Sequence, residues 1–355
     1  MVMLLIATSF LSFPAYAANG ESIVLNPTTG DYLITYYGVG NPGDKRKKRD
    51  KTDKILRQTI FIPATKIVPI VSSSFKLREK GEIVYSYRIT NGQNSKQPLD
   101  MIIFDPVSDI VSSLPLPKRH QDVDLKTIAQ IDASGVTALS SPDKWTGRAT
   151  TSHEGGLRIG WTYYDSSDAT EGLATGKTQA GFGFTSTDIP GIGIAQLYGR
   201  SSVLGFVDQG PSGEISDQLE ILTKNDFVPR NAAVPTIFVP TPFNASVLLG
   251  RIQSHVHTWI AFGLLDVSFS SQLDRYFQAA IDAYSHNQPK VAREHIQTLR
   301  KMLKNEHEGI DHEEDEEDEE KNERKSARVS IDRLAARVLD FDLKYVLKRS
   351  GGERD

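Results

Sequence analysis

Ile83-Val84-Tyr85-Ser86-Tyr87-Arg88-Ile89, closed by Asn91-Gly92, decides the fold. Large apolar side chains stand at every second position. Side chains on a strand point alternately to opposite faces, so this run builds one buried face, and Asn-Gly supplies the turn that follows. The same period of two recurs outward from it. Leu99, Met101 and Ile103 alternate with Asp100, Ile102 and Phe104. Leu157, Ile159, Trp161 and Tyr163 alternate with Arg158, Gly160, Thr162 and Tyr164, which assigns Trp161 and Tyr163 to the core. Ala180, Phe182 and Phe184 alternate with small residues. With residues 32–37, 67–77 and 192–198, about seven or eight strands are expected, separated by Gly, Pro, Asn and Ser clusters. Residues 18–209 therefore predict an antiparallel β-sandwich of immunoglobulin-like type, with a jelly roll as its rival.

Residues 210–242 carry Pro211, Pro229, Pro235, Pro240 and Pro242 and no clear period. They read as a stiff connector between two separate folding units. Beyond it the period becomes helical. Asn244 is a good N-cap, and Leu248, Ile252, Val256, Trp259 and Ile260 share a face. Gly263 stops that helix. A second carries Leu273, Phe277, Ala280, Ile281 and Tyr284. Pro289 sits in the first turn of a third, with Val291, Ala292, Ile296, Leu299 and Leu303. The last carries Ile331, Leu334, Ala335, Val338, Leu339, Leu343, Val346 and Leu347. None can hide its stripe alone, so residues 243–349 predict a small helical bundle, with an acidic disordered insertion over 307–325. The fold class is thus all-β plus α.

The spacing Gly263-Leu264-Leu265-Asp266, then Leu273, Phe277, Ala279-Ala280, Ala292, Leu299, and Ser330-Ile331, Leu334-Ala335, Val338 resembles FIVAR/FIMAH-type helical modules appended to exported bacterial and archaeal proteins. The resemblance covers roughly the last third of the chain, and the acidic insertion departs from the compact pattern. It implies an exported or cell-surface setting and an accessory, non-catalytic role, and it brings no catalytic residues.

Residues 1–17 read as an export signal. Val2 to Phe13 are mostly apolar, Pro14 breaks any helix, and Ala15-Tyr16-Ala17 is the small-x-small pattern that signal peptidase accepts. Cleavage is expected between Ala17 and Ala18. No Lys or Arg precedes the apolar run. The run is short against the ~20 residues a spanning helix needs, so no stable membrane span is expected in the mature chain. The product would be extracellular or periplasmic. There is no cysteine, so the core must hold the fold without disulfides.

Several catalytic patterns fail on spacing. Gly172 to Thr178 resembles a phosphate loop, but the required first glycine falls at Glu171, and strand-like residues follow. His307 and His312 stand at i and i+5, where a zinc-protease helix needs i and i+4. His255 and His257 point apart on a helix. No cofactor is expected. Asp105, Asp109, Asp165, Asp168 and Asp188 are the carboxylates that a glycoside hydrolase would draw on, at ~5–9 Å separation. Trp145, which follows Ser141-Pro142-Asp143-Lys144, and His153 and Glu154, in a loop near Gly155-Gly156, are the candidate ligand surface.

Two charge runs complete the pattern. Residues 45–54 hold seven basic and two acidic side chains; residues 311–320 hold nine acidic ones and His312. No aromatic residue interleaves with the basic run, which argues against nucleic acid as a partner. Loose, salt-sensitive attraction between the two runs, within one molecule or between molecules, is one expectation; the alternative is that each run merely keeps its loop soluble. The sequence reads as an exported, non-enzymatic binding or structural protein with an extracellular glycan or protein partner. The alternative is a carbohydrate-active hydrolase or carbohydrate-binding protein on a jelly-roll scaffold.

Overall fold

The computed structural model describes residues 17–18, 20–39, 54–78, 81–104, 136–151, 157–164, 172–200, 213–224, 226–307 and 330–351. Along the chain run β1 (Ala17–Ala18), β2 (Glu21–Leu25), β3 (Tyr32–Val39), β4 (Lys54–Phe61), β5 (Pro69–Leu77), β6 (Ile83–Asn91), β7 (Leu99–Phe104) and β8 (Val136–Ser140). Then come β9 (Trp145–Thr151), β10 (Leu157–Tyr163), β11 (Lys177–Ser186), β12 (Ile189–Gly199), α1 (Gly213–Thr223) and β13 (Val228–Ile237). Four helices close the chain: α2 (Ala245–Ala261), α3 (Val267–Ser285), α4 (Pro289–Glu306) and α5 (Arg333–Arg349). The protein is therefore mixed β and α, with three antiparallel sheets among the described residues, ordered β1-β2-β3-β4, β13-β12-β7-β10-β9 and β5-β6-β11-β8.

The last two sheets meet across an aromatic core. The alternation in β6 turns Tyr85 and Tyr87 inward, and that in β11 turns Phe182 and Phe184 inward. They meet Phe104 of β7, Trp145 of β9 and Trp161 of β10. Ring centroids of Tyr87 and Phe104 lie 4.5 Å apart, and Trp161 stands edge-on to Phe104 at 5.9 Å, the offset and edge geometries that ring quadrupoles favour. Their polar tips are satisfied. Tyr85 donates to the Asp188 carbonyl at 2.9 Å, Tyr87 to the Ala233 carbonyl at 2.8 Å, and Trp161 Nε1 to the Ser140 carbonyl at 2.9 Å. β11 bulges between Ala180 and Phe182, where Gly181 takes φ +101°.

The β1–β4 sheet stands apart from this pair, which the count of seven or eight strands in one sandwich did not foresee. One of its faces buries Ile34, Tyr36 and Phe61 under Ile215 and Leu219 of α1, a second small core. Residues 213–237, expected to be a connector, instead hold α1 and β13. β13 pairs with β12 from Ile189↔Ile237 to Leu197↔Val228. It is the edge strand of its sheet, and an edge tolerates Pro229 and Pro235 because one side of its backbone makes no ladder bonds. Ala232, Ala233 and Val234 between those prolines are buried.

The helices follow their caps. Asn244 accepts the Val247 N–H at 3.1 Å, Pro289 opens α4, and Asp332 accepts the Leu334 N–H at 2.8 Å. The four pack on one another and on the sheets. The core that holds Tyr85, Phe104 and Trp161 continues through Leu248, Trp259, Phe277 and Leu343. Phe75 of β5 meets Phe341 of α5 edge-on at 5.0 Å, and the Ile192 N–H of β12 donates to His255 Nε2 of α2 at 2.9 Å. No helix among the described residues is long and apolar enough to cross a membrane.

Candidate functional site

The β5–β6 hairpin positions an open site. Its period of two sends Ser73, Phe75 and Leu77 toward the core side along with Ile83, Tyr85 and Tyr87. The opposite face pairs Ser72 with Arg88, Ser74 with Ser86, and Lys76 with Val84. Ser74, Phe75, Lys76, Arg78, Val84 and Ser86 line a shallow cleft of about 470 Å³. Ser74, Ser86, Lys76 and Arg78 are exposed. The Ser74 hydroxyl donates to the Ser86 carbonyl at 3.5 Å. Lys76 and Arg78 form no ion pair among the described residues. Glu82 stands opposite Arg78, whose N–H donates to the Glu82 carbonyl at 2.7 Å. The floor is fixed from behind: the Arg337 guanidinium of α5 lies 5.8 Å from the Phe75 ring centre, and Phe341 abuts the same ring. Two solvated cations beside paired hydroxyls can bind an anionic, hydroxyl-bearing group. Among the described residues the lining has no carboxylate for acid–base work.

A second cluster lies sealed where α5 meets the β11–β12 turn. Asp342 is 0% exposed, and neither carboxylate oxygen has a hydrogen-bond partner among the described residues. Burial pushes its pKa well above the usual carboxylate range. Asp188 is 4% exposed, and burial raises it to about 6; the Val239 N–H and the Arg251 charge pull the other way. Both acids act on Tyr85, whose pKa burial raises well above the usual value. Tyr345 is raised chiefly by burial, with Arg349 opposing. Asp340, two residues earlier on α5, is also buried but accepts from Arg300 Nε and Lys344 Nζ, each at 2.8 Å. Asp342 and Asp188 are both buried, so the consequence argued for them is for stability.

The residues singled out from sequence fall as follows. Trp145 lies in the core rather than on the surface. It is 6% exposed and stands edge-on to Tyr163 at 5.4 Å and to Phe182 at 5.0 Å. It begins β9 in register with Tyr163, which aims the indole between the sheets. His153 and Glu154 lie outside the described residues, as do Asp105, Asp109, Asp165, Asp168 and both charge runs save Lys54. Ala17 and Ala18 form β1, opposite Ser22 and Glu21. Gly172 to Gly176 make a turn with φ +130° and +75° at its two glycines, and Lys177 begins β11, so no helix N-terminus follows to hold a phosphate. His257 Nε2 meets Asp274 Oδ1 at 2.6 Å, and His307 Nε2 donates to the Ile331 carbonyl at 2.6 Å. Among the described residues no three His, Cys, Asp or Glu converge as a metal site.

The cleft cations and Asp342 were not singled out from sequence. For Lys76 and Arg78 the signal was the alternation Ser72, Ser74, Lys76, Arg78 on an outward face. For Asp342 it was a carboxylate set among Val338, Leu339, Leu343 and Val346 on an apolar stripe. Comparison with family models, with curated proteins and with solved structures gives no match for this chain.

Proposed function

We propose that the chain is an exported, non-enzymatic binding or structural protein that works in an extracellular or periplasmic setting. In this reading an immunoglobulin-like sandwich presents the ligand surface, and the helices form an accessory bundle that braces it. The open β5–β6 cleft carries the proposal. It gathers hydroxyls and two cations, Lys76 and Arg78, that form no ion pair among the described residues, on an exposed sheet face, and α5 stiffens its floor through Phe75. A fixed scaffold behind an accessible polar face lowers the ordering cost of binding. The hydrolase alternative needs two carboxyl groups facing one substrate. Asp188, the described member of the five aspartates considered, is buried against the core.

The test has two arms. Mass spectrometry of the protein recovered from the medium or periplasm of its own host should find Ala18 at the amino terminus; a chain that stays in the cytoplasm with Met1 in place removes the export half. The exported protein is then screened by thermal shift and product analysis against extracellular glycans. Ligand-induced stabilisation without products is expected. Cleavage of a glycosidic bond would replace this reading with the hydrolase.

A further inference from the structure

The geometry points to an acidic saccharide, a sugar chain carrying carboxylate or sulfate groups, as the ligand of the β5–β6 cleft; this rests on the binding reading above. Successive outward residues on a strand lie ~6.7 Å apart. Lys76 near the end of β5 and Arg78 just past it, both exposed, therefore form a short cationic row. Arg88 stands on the same face at the other end, in the row of Ser72, so that cations flank the Ser74–Ser86 pair over ~13 Å. Glu82 is the one described carboxylate at the hairpin turn, beside Lys76 and Arg78. An arginine fork matches carboxylate and sulfate oxygens in pairs, and the serine hydroxyls between the cations both donate and accept. That combination fits a ligand alternating hydroxyls with anionic groups.

Exposure argues for a chain rather than a single small anion. Lys76 and Arg78 are solvated, and a lone contact to a solvated cation is weak and screened by salt. Useful affinity then requires several contacts along one molecule, as a repeating acidic saccharide supplies. Ser74, Lys76, Arg78 and Ser86 of the cleft are all exposed, so a chain can meet them from solvent without entering a closed pocket.

Calorimetry on the full exported chain tests this with four probes: an oligogalacturonate, a sulfated oligosaccharide, a neutral oligosaccharide of equal length, and polyglutamate. The two acidic saccharides should bind, and the neutral one should not. Lys76→Ala with Arg78→Ala should weaken binding about tenfold, since each exposed charge contact is worth up to a few-fold. Lys76→Glu with Arg78→Glu should abolish it, with circular dichroism and melting unchanged in both variants. Raising salt should weaken binding in the wild type. If the neutral saccharide binds as tightly and ignores both variants, the acidic class is overturned while the binding reading stands. If polyglutamate matches the acidic saccharides, the sugar component is overturned. If no probe binds, the assignment of this ligand falls, and the wider glycan screen decides the binding reading separately.

Discussion

Asp340 and Asp342 stand two residues apart on α5, both buried, and differ in what faces them. Asp340 meets Arg300 and Lys344; Asp342 meets no donor among the described residues. A buried carboxylate without a partner holds its proton to higher pH than it does unfolded. The folded state then binds more protons than the unfolded one above the ordinary carboxylate pKa, so stability is fullest below that value and falls as pH rises toward the folded pKa. Asp342→Asn removes this loss. Its melting temperature should match the wild type near pH 4 and exceed it at pH 8; equal melting at both pH values would show that Asp342 is not held protonated. Asp188 adds a defined window. Its pKa moves from 3.8 to about 6, so the wild type should lose on the order of 3 kcal/mol between those pH values, and Asp188→Asn should flatten that segment of a pH–urea profile. Asp342 was legible as an acid on an apolar stripe. That it meets no donor was not legible, because Tyr85 and the β11–β12 turn reach it only through the tertiary fold.

Elements were legible where a period ran without interruption. β6, β10 and β11 followed from alternation, and α2 to α5 from apolar stripes, with Asn244, Gly263 and Pro289 marking boundaries. β13 was hidden because its prolines signal a linker, whereas edge position makes them tolerable. α1 was hidden because only Ile215 and Leu219 are buried on it, too few to mark a stripe. Two glycines test the packing of elements with opposite signs. A Cβ on Gly183 of β11 would lie 2.5 Å from the Tyr85 carbonyl of β6, so the strands cannot keep their spacing. Gly183→Ala should cost about 2 kcal/mol or more in denaturant unfolding. A Cβ on Gly250, inside α2, meets nothing within 4 Å. Gly250→Ala should stabilise by about 0.5–1 kcal/mol through lower unfolded-chain entropy and better helix propensity. A Gly183→Ala variant as stable as the wild type would mean that β6 and β11 approach less closely than described.

At the scale of the whole molecule, one continuous core joins the two facing sheets to the helices, against the expectation of two separate folding units. α5 makes the join. Its Val338, Leu339, Leu343 and Val346 are fully buried, and it touches β12 and β13 as well as α2 and α4. Phe341 and Arg337 grip Phe75 on β5. Burying each such aliphatic side chain contributes about 1.5–3 kcal/mol, so the four together contribute on the order of 10 kcal/mol. A domain's net stability is only about 5–15 kcal/mol. Removing α5 should therefore remove most of the stability of the sheets it covers, not only that of its helical neighbours. Calorimetry of the full chain should show the facing sheets and the helices melting in one transition, with the calorimetric enthalpy equal to the van't Hoff value. A chain ending at residue 332 should lack that transition and expose the apolar surface of β12 and β13, seen as dye binding. The Asp342→Asn variant should move the whole transition upward at pH 8, because the acid lies within the shared core. Two resolved transitions in the wild type, with only one shifted by Asp342→Asn, would show instead that sheets and helices fold as independent units joined through residues 210–242.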